Sequence, residues 1–169
     1  MVNELVTAGV PVMSVRPSAI VRCEDGVITQ IFIETIADAL GAGLVPMVMG
    51  DVAFDTVRGG TIVSTEEVMT ALAGTLNPSQ LLLAGETDGV YDLEKRVIPT
   101  LTAANLEQYR PALGGSRGTD VTGGMTSKVE GMLALCERFD VSVKIFSGLR
   151  PNVLRETLLG TAEHGTTLA

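Results

Sequence analysis

Strand-like apolar runs that alternate with helical segments constrain the fold of this chain more than any other feature. The run at 44–49 (LVPMVM) is continuously apolar, which is typical of a strand covered on both faces. Further strands are predicted at 11–15, 80–84 and 142–146, and helices at 31–40, 64–76, 124–138 and 151–159. This repeated alternation predicts an α/β fold, here a three-layer αβα sandwich with a mostly parallel sheet.

Local signals define several of these elements. Asp25-Gly26 between two short apolar runs predicts a β-hairpin. Ser64, followed three residues later by Glu67, gives the capping-box pattern at the start of a helix. A short edge strand is predicted at 166–168. The helical pattern at 2–8 has no N-cap and no preceding strand. We therefore expect that the sequence begins partway through an α/β domain.

The charge balance of the 169 residues excludes several classes of function. The net charge is -8 and the isoelectric point about 4.6, so binding to nucleic acid or to an anionic membrane surface is not expected. No apolar run in the sequence approaches the ~18 residues of a membrane span. Cys23, Cys136 and His164 form no zinc-type cluster, and two isolated thiols fit a reducing compartment. We therefore expect a cytoplasmic protein.

Polar clusters follow the predicted strands, and in open parallel sheets ligands bind beyond the carboxyl ends of strands. Gly50-Asp51 follows the strand at 44–49, and the segment 85–89 (GETDG) follows the strand at 80–84. A third cluster, 115–128, opens the long helix that begins at 124.

This third cluster, GSRGTDVTGGMTSK, carries the most specific signal. Asp120 or Thr122 can cap the helix, while Gly123 and Gly124 let a ligand approach the backbone closely. Free N–H groups at a helix N-terminus bind phosphate well. Helical side chains point toward the helix N-terminus, so Lys128 can reach the same phosphate. The residue types predict a phosphate clamp that is not a Walker A loop. A glycine-rich loop before a helix with a solvated lysine remains an equal alternative.

The order and spacing of several motifs resemble one known family. These motifs are SVRPSA (14–19), GLVPMVMGDVAFD (43–55), GVYD (89–92), DVTGGMTSK (120–128) and GTT (165–167). Together they resemble the amino acid kinase superfamily, most closely the isopentenyl phosphate kinases, over essentially the whole chain. DVTGGM with its lysine is the most specific of these signals.

The resemblance implies an ATP-dependent transfer of the γ-phosphate to isopentenyl phosphate, with Mg²⁺ on the ATP phosphates and no protein metal ligand. It implies Lys128, Thr122 and Glu66 as catalytic residues; Glu66 stands where the family often has an aspartate that organises active-site lysines. It places Gly50 and Asp51 near the small-molecule phosphate acceptor. The nucleotide-binding residues implied are Glu86, Thr87, Asp88, Gly89, Tyr91, Asp120, Gly123, Gly124 and Lys128. Relatives are commonly homodimers.

The family pattern also begins with segments that this sequence does not match. These are a strand with a lysine and Gly-Gly-Ser, and a glycine-rich loop whose histidine holds the acceptor phosphate. We therefore expect residues 1–169 to form one N-terminally truncated kinase domain, with the nucleotide portion and part of the acceptor portion, and impaired transfer. A fosfomycin-kinase-like enzyme and a non-catalytic nucleotide-binding fragment remain as alternatives.

Overall fold

The computed structural model describes residues 1–113 and 124–169. Tertiary contacts divide the chain into an N-terminal unit, Met1–Asn77, and a C-terminal unit, Pro78–Ala169. Each unit combines helices with strands, so the predicted α/β fold class is confirmed. Among the described residues, four strand pairings are parallel and three are antiparallel. No helix in the described part of the chain has the length and apolar character that a membrane crossing requires.

The N-terminal unit contains ten elements. Its helices are α1 (Val2–Thr7), α2 (Pro17–Ile20), α3 (Glu34–Gly41) and α4 (Thr65–Leu76). Its strands are β1 (Val12–Ser14), β2 (Val21–Glu24), β3 (Val27–Ile31), β4 (Val45–Met47), β5 (Asp51–Asp55) and β6 (Gly59–Val63). β1 pairs with β4 in parallel, and the other four strands form a sheet of order β3-β2-β5-β6. Its core is formed by Val15, Ile20, Val21, Cys23, Ile36, Ala53, Val63, Val68 and Leu72.

The predicted hairpin at Asp25-Gly26 is confirmed, and a buried carboxylate fixes it to a second hairpin. β2 and β3 pair antiparallel, with Asp25 and Gly26 at positive φ in the turn. The carboxylate of Asp55 accepts four backbone N–H groups at 2.7–3.2 Å, from Asp25, Gly26, Val57 and Arg58. Burial on its own would raise the pKa of Asp55, but these donors outweigh burial and hold the pKa below its usual range.

The predicted capping box is also confirmed at the start of α4. The backbone N–H of Glu67 donates to Ser64 Oγ at 3.1 Å, and the backbone N–H of Ser64 donates to Glu67 Oε2 at 2.7 Å. These bonds satisfy two N–H groups that a helix start otherwise leaves without a partner. The local sequence therefore sets the first turn of α4.

The expectation for the apolar run at 44–49 is wrong in one respect. Only Val45–Met47 form a strand, and Val45 is 47% exposed. None of the residues 44–49 is fully buried, so the strand is not covered on both faces. An apolar run indicates that a segment favours extended structure, but it does not determine which elements pack on the faces of the strand.

The described residues of the C-terminal unit, 78–113 and 124–169, form one four-stranded sheet and three helices. Its strands are β7 (Gln80–Gly85), β8 (Thr100–Leu101), β9 (Ser142–Ser147) and β10 (Thr166–Leu168). Its helices are α5 (Leu106–Leu113), α6 (Gly124–Phe139) and α7 (Val153–Leu158). The strand order is β7-β9-β10-β8, with only the β9–β10 pair antiparallel. One face of α6 is buried: Val129, Met132, Leu133, Leu135 and Cys136.

The prediction of an edge strand at 166–168 is wrong, because β10 lies between β9 and β8. The sequence analysis did not identify β8, which has only two residues and no periodic pattern of its own. Gly165 permits the entry into β10, since a Cβ there would lie 2.5 Å from the carbonyl oxygen of Ile145. Its φ of +99° also favours glycine.

Candidate functional site

Gly50 lies between β4 and β5 and contacts the first residue of α4, Thr65. Its backbone N–H donates to Thr65 Oγ1 at 2.9 Å. A Cβ at this position would lie 2.8 Å from the backbone nitrogen of Thr65 and 2.9 Å from the carbonyl oxygen of Val63. The close approach therefore requires glycine, which gives Gly50 a structural role in addition to its predicted place near the acceptor.

Asp51, the next residue, is held by two donors. Its Oδ2 lies 2.5 Å from Nη1 of Arg16, and its Oδ1 accepts the backbone N–H of Val52 at 2.8 Å. The Val52 N–H and then the Arg16 guanidinium lower the pKa of Asp51, so the carboxylate is ionised at neutral pH. The side chain of Asp51 is partly exposed, at 32%.

Glu66 is the second residue of α4 and is exposed. It follows Thr65, whose hydroxyl accepts the Gly50 N–H, so the structure brings the predicted acceptor residues to the helix start that carries Glu66. Glu67, not Glu66, completes the capping box. The side chain of Glu66 is therefore not required for helix initiation.

In the C-terminal unit, two loops meet beyond the carboxyl ends of β7 and β9. The backbone N–H of Gly148 donates to the carbonyl oxygen of Gly85 at 2.8 Å. The guanidinium of Arg150 contacts both carboxylate oxygens of Asp88, with Nε 3.0 Å from Oδ1 and Nη2 3.1 Å from Oδ2. Because β7 and β9 are parallel neighbours, this is the sheet edge where a ligand site is expected.

Gly89 and Val90 pack against the motif near the C-terminus. The backbone N–H of Val90 donates to Oγ1 of Thr166, which is fully buried, at 2.8 Å. A Cβ at Gly89 would lie 2.7 Å from the same Oγ1 and 2.8 Å from Cγ1 of Val97. The two motifs GVYD and GTT are therefore in direct contact.

The remaining residues of this segment are at the surface. Glu86 and Thr87 are exposed, and Asp88 is partly buried. The hydroxyl oxygen of Tyr91 accepts the backbone N–H of Asp88 at 3.4 Å, and Tyr91 forms an isolated antiparallel bridge with Val97. Five predicted nucleotide-binding residues thus lie in one turn whose backbone is fixed by Asp88, Tyr91 and Thr166.

Lys128 is the fifth residue of α6, a helix that begins at Gly124. Its side chain is exposed, whereas the neighbouring Val129 is fully buried. The predicted residues Asp120, Thr122 and Gly123 lie outside the described residues.

Neither a metal cluster nor a reactive thiol is part of the described site. In residues 1–113 and 124–169, no three His, Cys, Asp or Glu side chains converge to hold a metal ion. Cys23 and Cys136 are buried, and burial raises the pKa of both thiols. Both are therefore protonated, with low nucleophilicity, at neutral pH.

No site role was predicted from the sequence for Arg16, in the N-terminal unit, or for Arg150, in the C-terminal unit. Their carboxylate partners are 35 and 62 positions away, and no local pattern indicates such pairs. Arg16 does fall within the SVRPSA string, which was the only available signal.

Comparison with known proteins identifies the family. The model of the amino acid kinase family matches residues 1–147, and the chain belongs to this family. The isopentenyl phosphate kinase of Methanothermobacter thermautotrophicus is 31% identical over 172 residues, covering 98% of this chain and 64% of that protein. The acetylglutamate kinase of Azorhizobium caulinodans is 36% identical over 127 residues, covering 75% of this chain and 39% of that protein.

A solved structure of an isopentenyl phosphate kinase superposes with a TM-score of 0.79 at 25% identity. The superposition covers 99% of this chain and 63% of that chain. The chain thus has the fold of the family. It spans slightly less than two thirds of the length of these two isopentenyl phosphate kinases.

Proposed function

We propose that the protein is an ATP-dependent phosphotransferase that transfers the γ-phosphate to isopentenyl phosphate and forms isopentenyl diphosphate, with transfer impaired in residues 1–169 relative to full-length kinases of the family. The observation that carries the proposal is the similarity to isopentenyl phosphate kinases over nearly the whole chain. Two of the segments covered by this similarity, Gly50-Asp51 and 85–89, lie at the carboxyl ends of the parallel strands β4 and β7, where ligands bind in this class of sheet.

In the proposed nucleotide site, Lys128 binds the transferring phosphate, with Thr122 and Gly123 beside it. Phosphoryl transfer requires positioning and stabilisation of the equatorial phosphate oxygens, which a lysine and backbone N–H groups provide. The exposed position of Lys128 on the first turns of α6 supports this role. We assign Asp120 and Gly124 to the same nucleotide site.

The turn at 86–89 and Tyr91 form the other side of the proposed nucleotide site. Glu86, Thr87, Asp88 and Gly89 are presented by a backbone that Arg150 and Thr166 fix. Mg²⁺ bound to the ATP phosphates neutralises part of their charge; the chain itself positions the nucleotide.

The proposed acceptor site lies in the N-terminal unit. Gly50 and Asp51 border the acceptor, and we assign Glu66 as a further catalytic residue. The contact between Gly50 and the first turn of α4 supports this grouping, because it fixes Asp51 and Glu66 to neighbouring segments. We further propose that residues 1–169 act as one catalytic domain, as a homodimer in the cytoplasm.

Transfer of ³²P from [γ-³²P]ATP in the presence of Mg²⁺ tests the function. The expected result is labelled isopentenyl diphosphate with isopentenyl phosphate as acceptor, and a loss of at least about a hundredfold for Lys128→Ala. Arg138→Ala, which removes the same charge from the other end of α6, is the matched control and retains activity.

The acceptor distinguishes the alternatives. The similarity to an acetylglutamate kinase makes acetylglutamate the competing acceptor, and labelled acetylglutamyl phosphate in place of the diphosphate would contradict the proposal. Binding of ATP without transfer to either acceptor, or to fosfomycin, would favour a non-catalytic nucleotide-binding protein.

A further inference from the structure

The sequence offers few cations to an anionic acceptor in the N-terminal unit. Residues 1–77 contain three arginines and no lysine or histidine. The whole chain carries a net charge of -8, so its general field repels an organic phosphate. An anion that binds in this unit therefore needs a local cation. The three arginines are its cationic side chains, and the ammonium group of Met1 is paired with Glu4.

Two of these arginines make contacts away from the proposed acceptor site. Arg22 donates to the carbonyl oxygens of Ser18 and Val21 and lies over the rings of Phe32 and Phe54, at 5.7 and 5.3 Å from their centroids. Arg58 pairs with Asp25 at the tips of the two hairpins, where its Nε lies 2.9 Å from Oδ1. Neither arginine contacts Gly50 or Asp51.

Arg16 is the remaining cation, and the topology places it at the proposed acceptor site. β1 and β4 run parallel, with Ser14 opposite Met47, so the residues that follow each strand lie at the same sheet edge. Arg16 follows β1 and Asp51 follows β4, and their side chains meet at 2.5 Å.

The backbone of Arg16 is rigid at this point. Arg16 is the N-cap of α2 in an extended conformation, and Pro17 at the first helical position restricts it to that conformation. The Arg16 carbonyl oxygen accepts the N–H of Ala19 at 3.0 Å. The guanidinium is thus presented from a fixed point, which reduces the entropy lost on binding a ligand.

The guanidinium retains donors for a ligand. Only Nη1 of Arg16 has a partner among the described residues, and the side chain is 65% exposed. Arginine binds phosphate oxygens through two parallel N–H donors, and Nε and Nη2 are such a pair.

We propose that Arg16 binds the phosphate of the acceptor, with Asp51 holding its guanidinium in place. This inference rests on the proposed function, since it takes an organic phosphate as the acceptor. It assigns a specificity-determining residue: an acceptor with a phosphate is retained by Arg16, and the corresponding alcohol is not. Asp51 then acts as a positioning residue through Arg16.

The test is an NMR titration of the ¹⁵N-labelled full chain with isopentenyl phosphate. In the unmodified protein, the signals of Arg16 Nε–H and Gly50 N–H are expected to shift. Arg16→Ala is expected to weaken binding about tenfold or more, since it removes a charge-assisted hydrogen bond. Arg16→Lys, which keeps the charge, is expected to restore part of the affinity.

Arg58→Ala is the matched control, because it removes the same charge and an exposed ion pair in the same unit. Equal affinities for Arg16→Ala and Arg58→Ala would overturn the role of Arg16 while leaving the acceptor assignment intact. No binding of isopentenyl phosphate by the unmodified protein would overturn both. Calorimetry with ATP and Mg²⁺ on the same samples shows separately whether the nucleotide site is present.

Discussion

Oγ1 of Thr166 accepts the backbone N–H of Val90 at 2.8 Å, although the two residues are 76 positions apart. The hydroxyl joins the GTT motif to the GVYD motif inside the C-terminal unit. Gly89 permits the contact, since any Cβ there would overlap Thr166. The turn that carries the proposed nucleotide-binding residues is therefore fixed by a buried side chain far away in sequence.

Thr166→Val removes this acceptor and keeps the shape of the side chain. The buried N–H of Val90 is left without a partner, which costs about 1–3 kcal/mol of unfolding free energy. Urea denaturation measures the loss. Thr167→Val, one residue along the same strand but only half-buried, is the control and is expected to change stability by less than about 0.5 kcal/mol. Equal effects of the two substitutions would contradict the account.

Gly50→Ala tests the close approach between Gly50 and α4. The added methyl group would meet backbone atoms of Thr65 and Val63, which cannot rotate away. Overpacking of this kind costs about 1–3 kcal/mol. Gly41→Ala, at the end of α3 where a Cβ has open space, is the control and is expected to leave the unfolding free energy within about 0.5 kcal/mol. A stable Gly50→Ala protein would show that the approach is not tight.

Asp55 makes stability depend on pH in a defined direction. Its pKa in the folded state lies below the value of about 3.9 expected for the unfolded chain. Its contribution is therefore complete above that value and is lost as pH falls through the folded-state pKa. Asp55→Asn is expected to lower the melting temperature by about 5 °C at pH 7, because an amide accepts fewer N–H groups.

The difference between Asp55→Asn and the unmodified protein is expected to shrink as the pH is lowered below 4. Asp25→Asn is the control: this exposed residue tolerates asparagine at its positive φ, and its ion pair with Arg58 contributes little. A constant difference between pH 7 and pH 3 for Asp55→Asn would contradict the assignment.

Arg150→Ala tests the link between the Asp88 pair and the proposed nucleotide site. The pair is partly exposed, so its loss is expected to change stability by less than about 1 kcal/mol. Freed from Arg150, the turn at 86–89 becomes less ordered, and affinity for ATP is expected to fall about three- to tenfold. Calorimetry measures the affinity for ATP. Arg155→Ala, which removes an exposed arginine on α7, is the control. Unchanged ATP affinity in Arg150→Ala would show that the order of this turn does not contribute to nucleotide binding.

The parts of the fold that sequence predicted correctly depend on neighbouring residues. The capping box of Ser64 and Glu67 and the hairpin at Asp25-Gly26 are each decided within four residues, so their signals are complete in the sequence. The predicted helix at 124–138 follows from helical spacing in the same way and is found as α6.

The parts that sequence did not predict depend on distant partners. The place of β10 inside its sheet is set by β8, and the exposure of Val45 by what packs on the face of β4. The pairs Arg16–Asp51 and Arg150–Asp88 are likewise formed by folding, not by spacing. The candidate residues were found through motifs, whereas the groups that hold them in place became visible only in the structure.

The account depends most on the claim that the chain binds ATP through Lys128. Isothermal titration calorimetry with ATP and Mg²⁺ tests this claim on the unmodified protein, on Lys128→Ala, and on Arg138→Ala as the control on the same helix. The account predicts binding by the unmodified protein and by Arg138→Ala, and affinity at least about tenfold weaker for Lys128→Ala. Lack of binding by the folded unmodified protein, or equal binding by Lys128→Ala, would contradict it.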